Sequence, residues 1–387
     1  MKLPIDLKAV IEAATDIESA RSTPVSVSVL IDDSAPGDVA AHIRSAFVGA
    51  GAHARVTVGY FAGPAFSPYE GDDMAVIVAG FSEEVGRRAA EIRAAGVPVM
   101  VVTSMPSLVA DMASAYGNPI PEGDLVAPEG VEGCEADGKA ACASGEVAGA
   151  HVSVFTGIRA AKSAGAGAAA GFAGAAASSP DVLDAPIPID AAAAAALDRR
   201  MGEWVVAACR EKRLALALSF PFVRRPLSLE AVSATSLQNA GIGLVLFIPG
   251  ADMPLMTLNQ AKMLLQIAAA YGEPMSAARV KELAAIVAGG FACRSVARQV
   301  AGVVPAIGWA VKAGVGYAGT KVMGLAAIEY FERGGNIAGL AGVVSTATAK
   351  ATQIAGDVAA TPAGARVLST VKTAVRQGAA SVLKKTE

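Results

Sequence analysis

Cysteine is scarce, with four in 387 residues. Cys134 and Cys142 fall in a polar linker, Cys209 and Cys293 in helical patterns, and no pair has metal-ligand spacing. A disulfide framework and a structural metal are therefore not expected, and a reducing cytoplasm fits. Aromatic residues make up only 5% and no nucleic-acid motif is present, so no nucleic-acid partner is expected. Charged residues amount to 17%, where about 25% is usual. Long apolar runs are missing too. The longest uncharged stretch, Ala231 to Ala251, is interrupted by Ser233, Thr235, Ser236, Gln238 and Asn239, and further on Arg294, Arg298, Pro305, Lys312 and Lys321 intervene. No segment offers the roughly 18 apolar residues that a helical span needs, which leaves peripheral association or short helical hairpins as the routes to a membrane. The opening Met1-Lys2-Leu3-Pro4-Ile5-Asp6 lacks the apolar core of a signal, so no secretion is expected.

What is abundant is small and apolar. Hydrophobic residues reach 53%, much of it alanine, and glycine adds 41 residues, so close packing of small side chains explains the composition as well as a lipid setting does. The net charge of −3 conceals an asymmetry: residues 1–190 carry 11 Lys/Arg against 24 Asp/Glu, and residues 191–387 carry 21 against 11. A basic second half meets an anionic surface or the acidic first half.

The periodicity divides the chain. Val25 to Ile31 alternates as a strand and ends in Asp32-Asp33-Ser34-Ala35-Pro36-Gly37. A helix over 38–48, strands over 55–61 and 74–79, a helix from Ser82 to Ala95, a strand over 97–103 and a helix over 106–116 follow. Alternating strands and helices predict a small doubly wound, mostly parallel sheet in residues 1–120. Residues 121–188 read as a low-complexity insert or linker, with edge strands possible at 150–156 and 185–189. Residues 189–335 read as a helical bundle domain: Asp190 caps a helix to about Arg213, Ser228 caps another, and helical patterns at 279–293, 295–318 and 320–333 follow. Residues 336–387 close with a basic amphipathic helix, on which Arg366, Lys372, Arg376, Lys384 and Lys385 form a candidate contact for an anionic surface; an ordinary surface helix gives the same pattern.

The chemical motifs are weak. Gly314-Val-Gly316-Tyr-Ala-Gly319 has the string of a dinucleotide loop in a helical context, so helix packing is its reading. The loop after the first strand has no lysine and three carboxylates, Asp32, Asp33 and Asp38, which repel phosphate. Those acids read as an exposed loop tip, and Asp72-Asp73 as solvated. His42, His53 and His151 show no metal or acid–base spacing, His42 reading as a surface residue. No catalytic residue, cofactor site or metal site is expected. Arg294 and Arg298, one turn apart, suit either an anion or a solvated face.

The stretch on which the second half is organised runs from Pro249-Gly250-Ala251-Asp252-Met253-Pro254 to Tyr271-Gly272-Glu273-Pro274. Asp252 and Pro254 suit a capped first turn and Gly272 a stop. Between them only Asn259, Lys262 and Gln266 break an apolar surface, so this helix is expected to be buried on most sides. That run, with Asn239, Gln260, Met263, Arg294, Arg298, Pro305, Trp309, Gly319-Thr320 and Tyr330-Phe331, resembles a bacterial domain-of-unknown-function family of the YcjF type over about residues 200–335. Such domains accompany Era-like GTPases and are described as membrane-associated. The resemblance implies that the front module is a degenerate GTPase-like domain. It lacks Gly-Lys-Ser/Thr and Asp-x-x-Gly, and Ser104-Met105-Pro106-Ser107 stands where Asn-Lys-x-Asp would follow its strand.

The expectation is an α/β plus all-α protein of cytoplasmic setting, a non-catalytic scaffold or regulator that meets a membrane surface or a protein partner. An NTPase with a nonstandard phosphate site and a soluble, homo-oligomerising structural protein are the alternatives.

Overall fold

The computed structural model describes residues 7–51, 53–62, 71–128, 186–245, 252–276 and 308–340, together with 342, 344 and 346. The candidate positions Pro249, Gly250, Arg294, Arg298, Arg366, Lys372, Arg376, Lys384 and Lys385 lie outside them, as does the possible edge strand at 150–156.

The fold is α/β plus helical. Five parallel strands, β1 (Val25–Ile31), β2 (Ala54–Tyr60), β3 (Met74–Val78), β4 (Val99–Val102) and β5 (Leu125–Val126), form one sheet in the order β2-β1-β3-β4-β5. Every residue of β3 and β4 is buried, as the unbroken apolar runs of central strands require, whereas the edge strand β2 alternates between half-buried and exposed. The helices that follow β1, β3 and β4 are α2 (Gly37–Val48), α3 (Glu84–Ala94) and α4 (Pro106–Ala115). One face of the sheet packs Val39, Ile43 and Phe47 of α2, and the other packs Val85, Ala89 and Ile92 of α3 with Val109 and Ala113 of α4.

The helical part comprises α1 (Leu7–Arg21), α5 (Ala191–Ala208), α6 (Arg213–Ser219), α7 (Pro221–Val245), α8 (Asp252–Ala270) and α9 (Gly308–Glu332). Packing does not follow chain order. Leu197, Met201 and Val205 of α5 and Leu216 of α6 complete the sheet's first core, joined by the tilted ring pair Phe47–Phe220 at 5.0 Å. Val10, Ala14 and Ile17 of α1, by contrast, join α7, α8 and α9 in a separate core with Ile337, Leu340 and Val344.

Several expectations are corrected by these elements. Ser228 does not cap a helix: α7 starts at Pro221, and the Ser228 hydroxyl donates back to the Arg224 carbonyl within it. Pro226, inside that helix, cannot bond the Phe222 carbonyl, and a Cβ on Gly202 of α5 would stand 2.4 Å from that oxygen. The missing side chain at 202 is what lets α5 and α7 approach. Helical structure runs unbroken through Gly319-Thr320, and residues 186–190 are irregular rather than an edge strand. β5 lies inside the stretch read as low complexity, because a two-residue strand has no period to detect. The expected burial of α8 is found, with Met263, Leu264, Leu265, Ile267 and Ala268 fully enclosed and Gly272 ending the helix at φ +90°.

Candidate functional site

In an open parallel sheet of this order the sequence of strand addition switches sides between β1 and β3, and the crevice beyond the carboxyl ends of such strands is where ligands bind. Here two loops close it. β1 delivers Asp32, whose amide continues the ladder to the Val78 carbonyl while its carboxylate turns back over the sheet end. One oxygen accepts from the Gly80 amide at 2.9 Å and the Ser82 amide at 3.2 Å, the other from the Ser34 amide at 3.0 Å. Asp32 is 3% exposed. This overturns its reading as part of an exposed acidic tip: a carboxylate with three amide donors is stable where an unpaired one would not be.

The neighbouring groups are engaged in the same way. Asp33 accepts from the Ala62 amide at 2.7 Å, and the Ser34 hydroxyl from the Phe81 amide at 2.7 Å. Asp38, on the first turn of α2, accepts from the amides of Val39 and Ile189. The loops are also in steric contact, since a Cβ on Gly80 would lie 2.3 Å from the Ser34 carbonyl carbon and 2.5 Å from the Ala35 nitrogen. Residues 186–190 cross the same edge, held by the Ile187 amide on the Ser104 carbonyl at 3.1 Å. The Ser104 side chain is buried and its Oγ has no partner.

The opposite edge of the sheet gives a second correction. Asp72 is buried and accepts from the hydroxyls of Ser26 and Ser28, and Asp73 takes the Ser26 amide and an ion pair with Lys212 at 2.7 Å, so neither is solvated. His42 is no free surface group either, its Nε2 lying 2.8 Å from an Asp198 carboxylate oxygen on α5. Cys209 is buried, and burial pushes its thiol up to about 12, the nearby Asp73 charge adding to the shift. Such a thiol is no nucleophile near neutral pH. Among the described residues no three His, Cys, Asp or Glu side chains could hold a metal ion.

The helical module brings together three of the separated positions on which the resemblance rests, Asn239, Gln260 and Thr320. Asn239 of α7 and Gln260 of α8 each donate to the Thr320 hydroxyl of α9 at 2.9 Å, and Asn259 donates to the Asn239 side-chain oxygen at 3.1 Å. Asn239, Gln260 and Thr320 are essentially fully buried. Gly319 precedes Thr320 within α9, and Gly314 and Gly316 lie in the same helix, so the dinucleotide-like string is not a loop. At Gly324, one turn on, a Cβ would meet Val232 of α7 at 2.4 Å. The glycine admits the close α7–α9 approach that puts Asn239 and Thr320 in reach. Asp252 begins α8 and Gly272 follows its end. Ser236, one turn before Asn239, is buried with no partner for its hydroxyl.

Sequence reasoning missed Gly80, Ser34 and Ser82 as parts of the first site. An Asp followed two residues later by a serine is the pattern of an Asx turn, and that was the available signal. Compared with protein-family models, with curated proteins and with solved structures, the chain matches none.

Proposed function

We propose that the chain is a non-catalytic scaffold or regulatory protein in which an α/β module with the layout of a nucleotide binder takes no nucleotide, and a basic helical module makes the working contact with a membrane surface or a protein partner. The observation that carries this reading is the Asp32 carboxylate on the amides of Ser34, Gly80 and Ser82. Backbone amides at this edge are what a phosphate group would use, and the protein's own anion already accepts their hydrogen bonds. A triphosphate there would meet like charge from Asp32, Asp33 and Asp38 and would have to part loops that touch at Gly80. The YcjF-type resemblance supports the same reading, since it implies a GTPase-like front module, here without the residues for hydrolysis.

Equilibrium dialysis of the full chain against labelled GTP and ATP, with and without magnesium, tests it. No retention of either nucleotide is expected. Micromolar retention replaces the scaffold with an NTPase using a nonstandard phosphate site.

A further inference from the structure

At the end of the strands opposite the Asp32 loops lies a cleft of about 270 Å³, near the lower end of the range for small-ligand sites. Glu18 of α1 forms one wall. Ser22 and Thr23 enter just before β1, and Gly51 and His53 just before β2, while α6 supplies Ala215, Leu218 and Ser219. The cleft marks a seam, because α1 packs in the core of α7 to α9 whereas β1 and α6 pack in the core of the sheet. Both sides of the seam are tied down. The Gly51 amide donates to the Ser219 carbonyl at 3.2 Å, and a Cβ at 51 would stand 3.3 Å from the Ser219 Cα, so the turn before β2 sits directly on the end of α6. On the other side the Glu18 carboxylate accepts from the Met275 amide at 3.4 Å.

The hydrogen bonds already made decide what the lining can offer. The hydroxyls of Ser22 and Thr23 both donate to the Ser19 carbonyl, at 3.1 and 3.3 Å, and the buried Ser219 hydroxyl donates to the Ala215 carbonyl at 2.9 Å. A hydroxyl has one proton and two lone pairs, so these three present lone pairs to the cleft. An ionised carboxylate is likewise acceptor only, and a neutral imidazole such as that of His53 has one acceptor nitrogen. The lining is therefore rich in acceptors and carries the charge of Glu18. Lys212, whose ammonium reaches the Pro24 carbonyl beside Thr23, is paired with Asp73 at 2.7 Å, which balances its charge. A metal ion is a poor match, since among the described residues no three His, Cys, Asp or Glu side chains could hold one. A cation rich in N–H donors is the complementary chemistry.

We propose that this cleft binds a small organic cation, a primary ammonium or guanidinium compound, with Glu18 as its counter-ion and the hydroxyls of Ser22, Thr23 and Ser219 as acceptors. The site is independent of the scaffold reading above. An occupant that touches both sides of the seam also stabilises the folded chain by linkage. Isothermal titration calorimetry and thermal unfolding of the full chain test it, with agmatine as the cationic probe and succinate as an anionic one. Agmatine is expected to give saturable one-to-one binding and a raised Tm, and succinate neither. Glu18→Gln keeps the shape of the side chain and weakens agmatine about tenfold or more, because the charged acceptor is gone. Ser22→Arg, at an exposed position, places the chain's own guanidinium in the cleft and lowers binding by as much or more. Circular dichroism checks the fold of both variants. No saturable heat for agmatine up to about 10 mM overturns the proposal. So does binding that neither variant weakens, or a preference for succinate. If an acetylated arginyl tripeptide amide binds more tightly than agmatine, the cation comes from a protein side chain, and the small-molecule site is overturned.

Discussion

The carboxyl edge of the sheet and the centre of the helical module both bury polar side chains, but with different electrostatics. At the sheet edge a full negative charge, Asp32, is stabilised by three backbone amides drawn from two loops. In the helices the cluster is neutral, and side-chain amides from two helices converge on one hydroxyl of a third, Thr320. An ionised acceptor makes stronger hydrogen bonds and is costlier to lose. A charge held in this way also decides what cannot bind beside it. A neutral cluster fixes only the mutual register of the helices, a role that buried polar groups serve in coiled coils. The first arrangement ties two loops together at the sheet edge, and the second ties three helices together.

The comparison breaks or sharpens at particular residues. Gly80→Val has the largest expected effect, a loss of about 4 kcal/mol in urea unfolding, because the new side chain collides with backbone at Ser34 rather than with a movable side chain. Asp32→Ala follows at about 3 kcal/mol, since three amides lose one charged acceptor. Thr320→Val, nearly isosteric, should cost about 2 kcal/mol by leaving the donors of Asn239 and Gln260 short of an acceptor. A Thr320 loss equal to that of Asp32 would mean that charge is not what separates the two sites.

A separate effect is expected in alkali. The folded Cys209 thiol is raised to about 12 from an ordinary 9.0, so between those values the unfolded chain has lost a proton that the folded chain keeps. Unfolding is then favoured as pH rises, by about 1.4 kcal/mol per pH unit from this group at most. The Tyr271 phenol, raised by burial and by the Glu332 charge, acts in the same direction. Chemical unfolding of Cys209→Ala across pH 9 to 11 should show a shallower decline than the parent protein. The smallest effect belongs to Ser236→Ala, which removes an unpartnered buried hydroxyl and should leave stability unchanged or raise it by up to about 1 kcal/mol. A clear loss there would show that the hydroxyl has a partner in solution.

Some of this was legible in advance. The alternation of Val25 to Ile31 places β1 on its observed residues, and the near-continuous apolar run from Met74 marks β3 as a buried strand. The Gly272 stop and the all-round burial of α8 were readable for the same reason, since a helix with a narrow polar stripe has few ways to face water. The burial of Asp32 and Asp72 was not readable. Each lies beside a second aspartate in a Gly/Ser-rich neighbourhood that looks solvated, and beyond the local Ser34 amide on Asp32 their donors lie 44 to 50 residues away. Nor did Ser228 reveal that it sits within a helix, because Pro226 imitates a helix start.

The amino-acid sequence by itself determined the kinds of element and their order, because hydrophobic period, turn residues and helix stops act between near neighbours in the chain. It also determined the opposed charges of the two halves. The tertiary structure alone decided which polar groups meet: Asp32 with the amides of another loop, and Asn239, Gln260 and Thr320 from three helices. The physical reason is that a buried polar group is stable only with a partner at hydrogen-bond distance, and that distance is set by how strands and helices pack rather than by spacing along the chain.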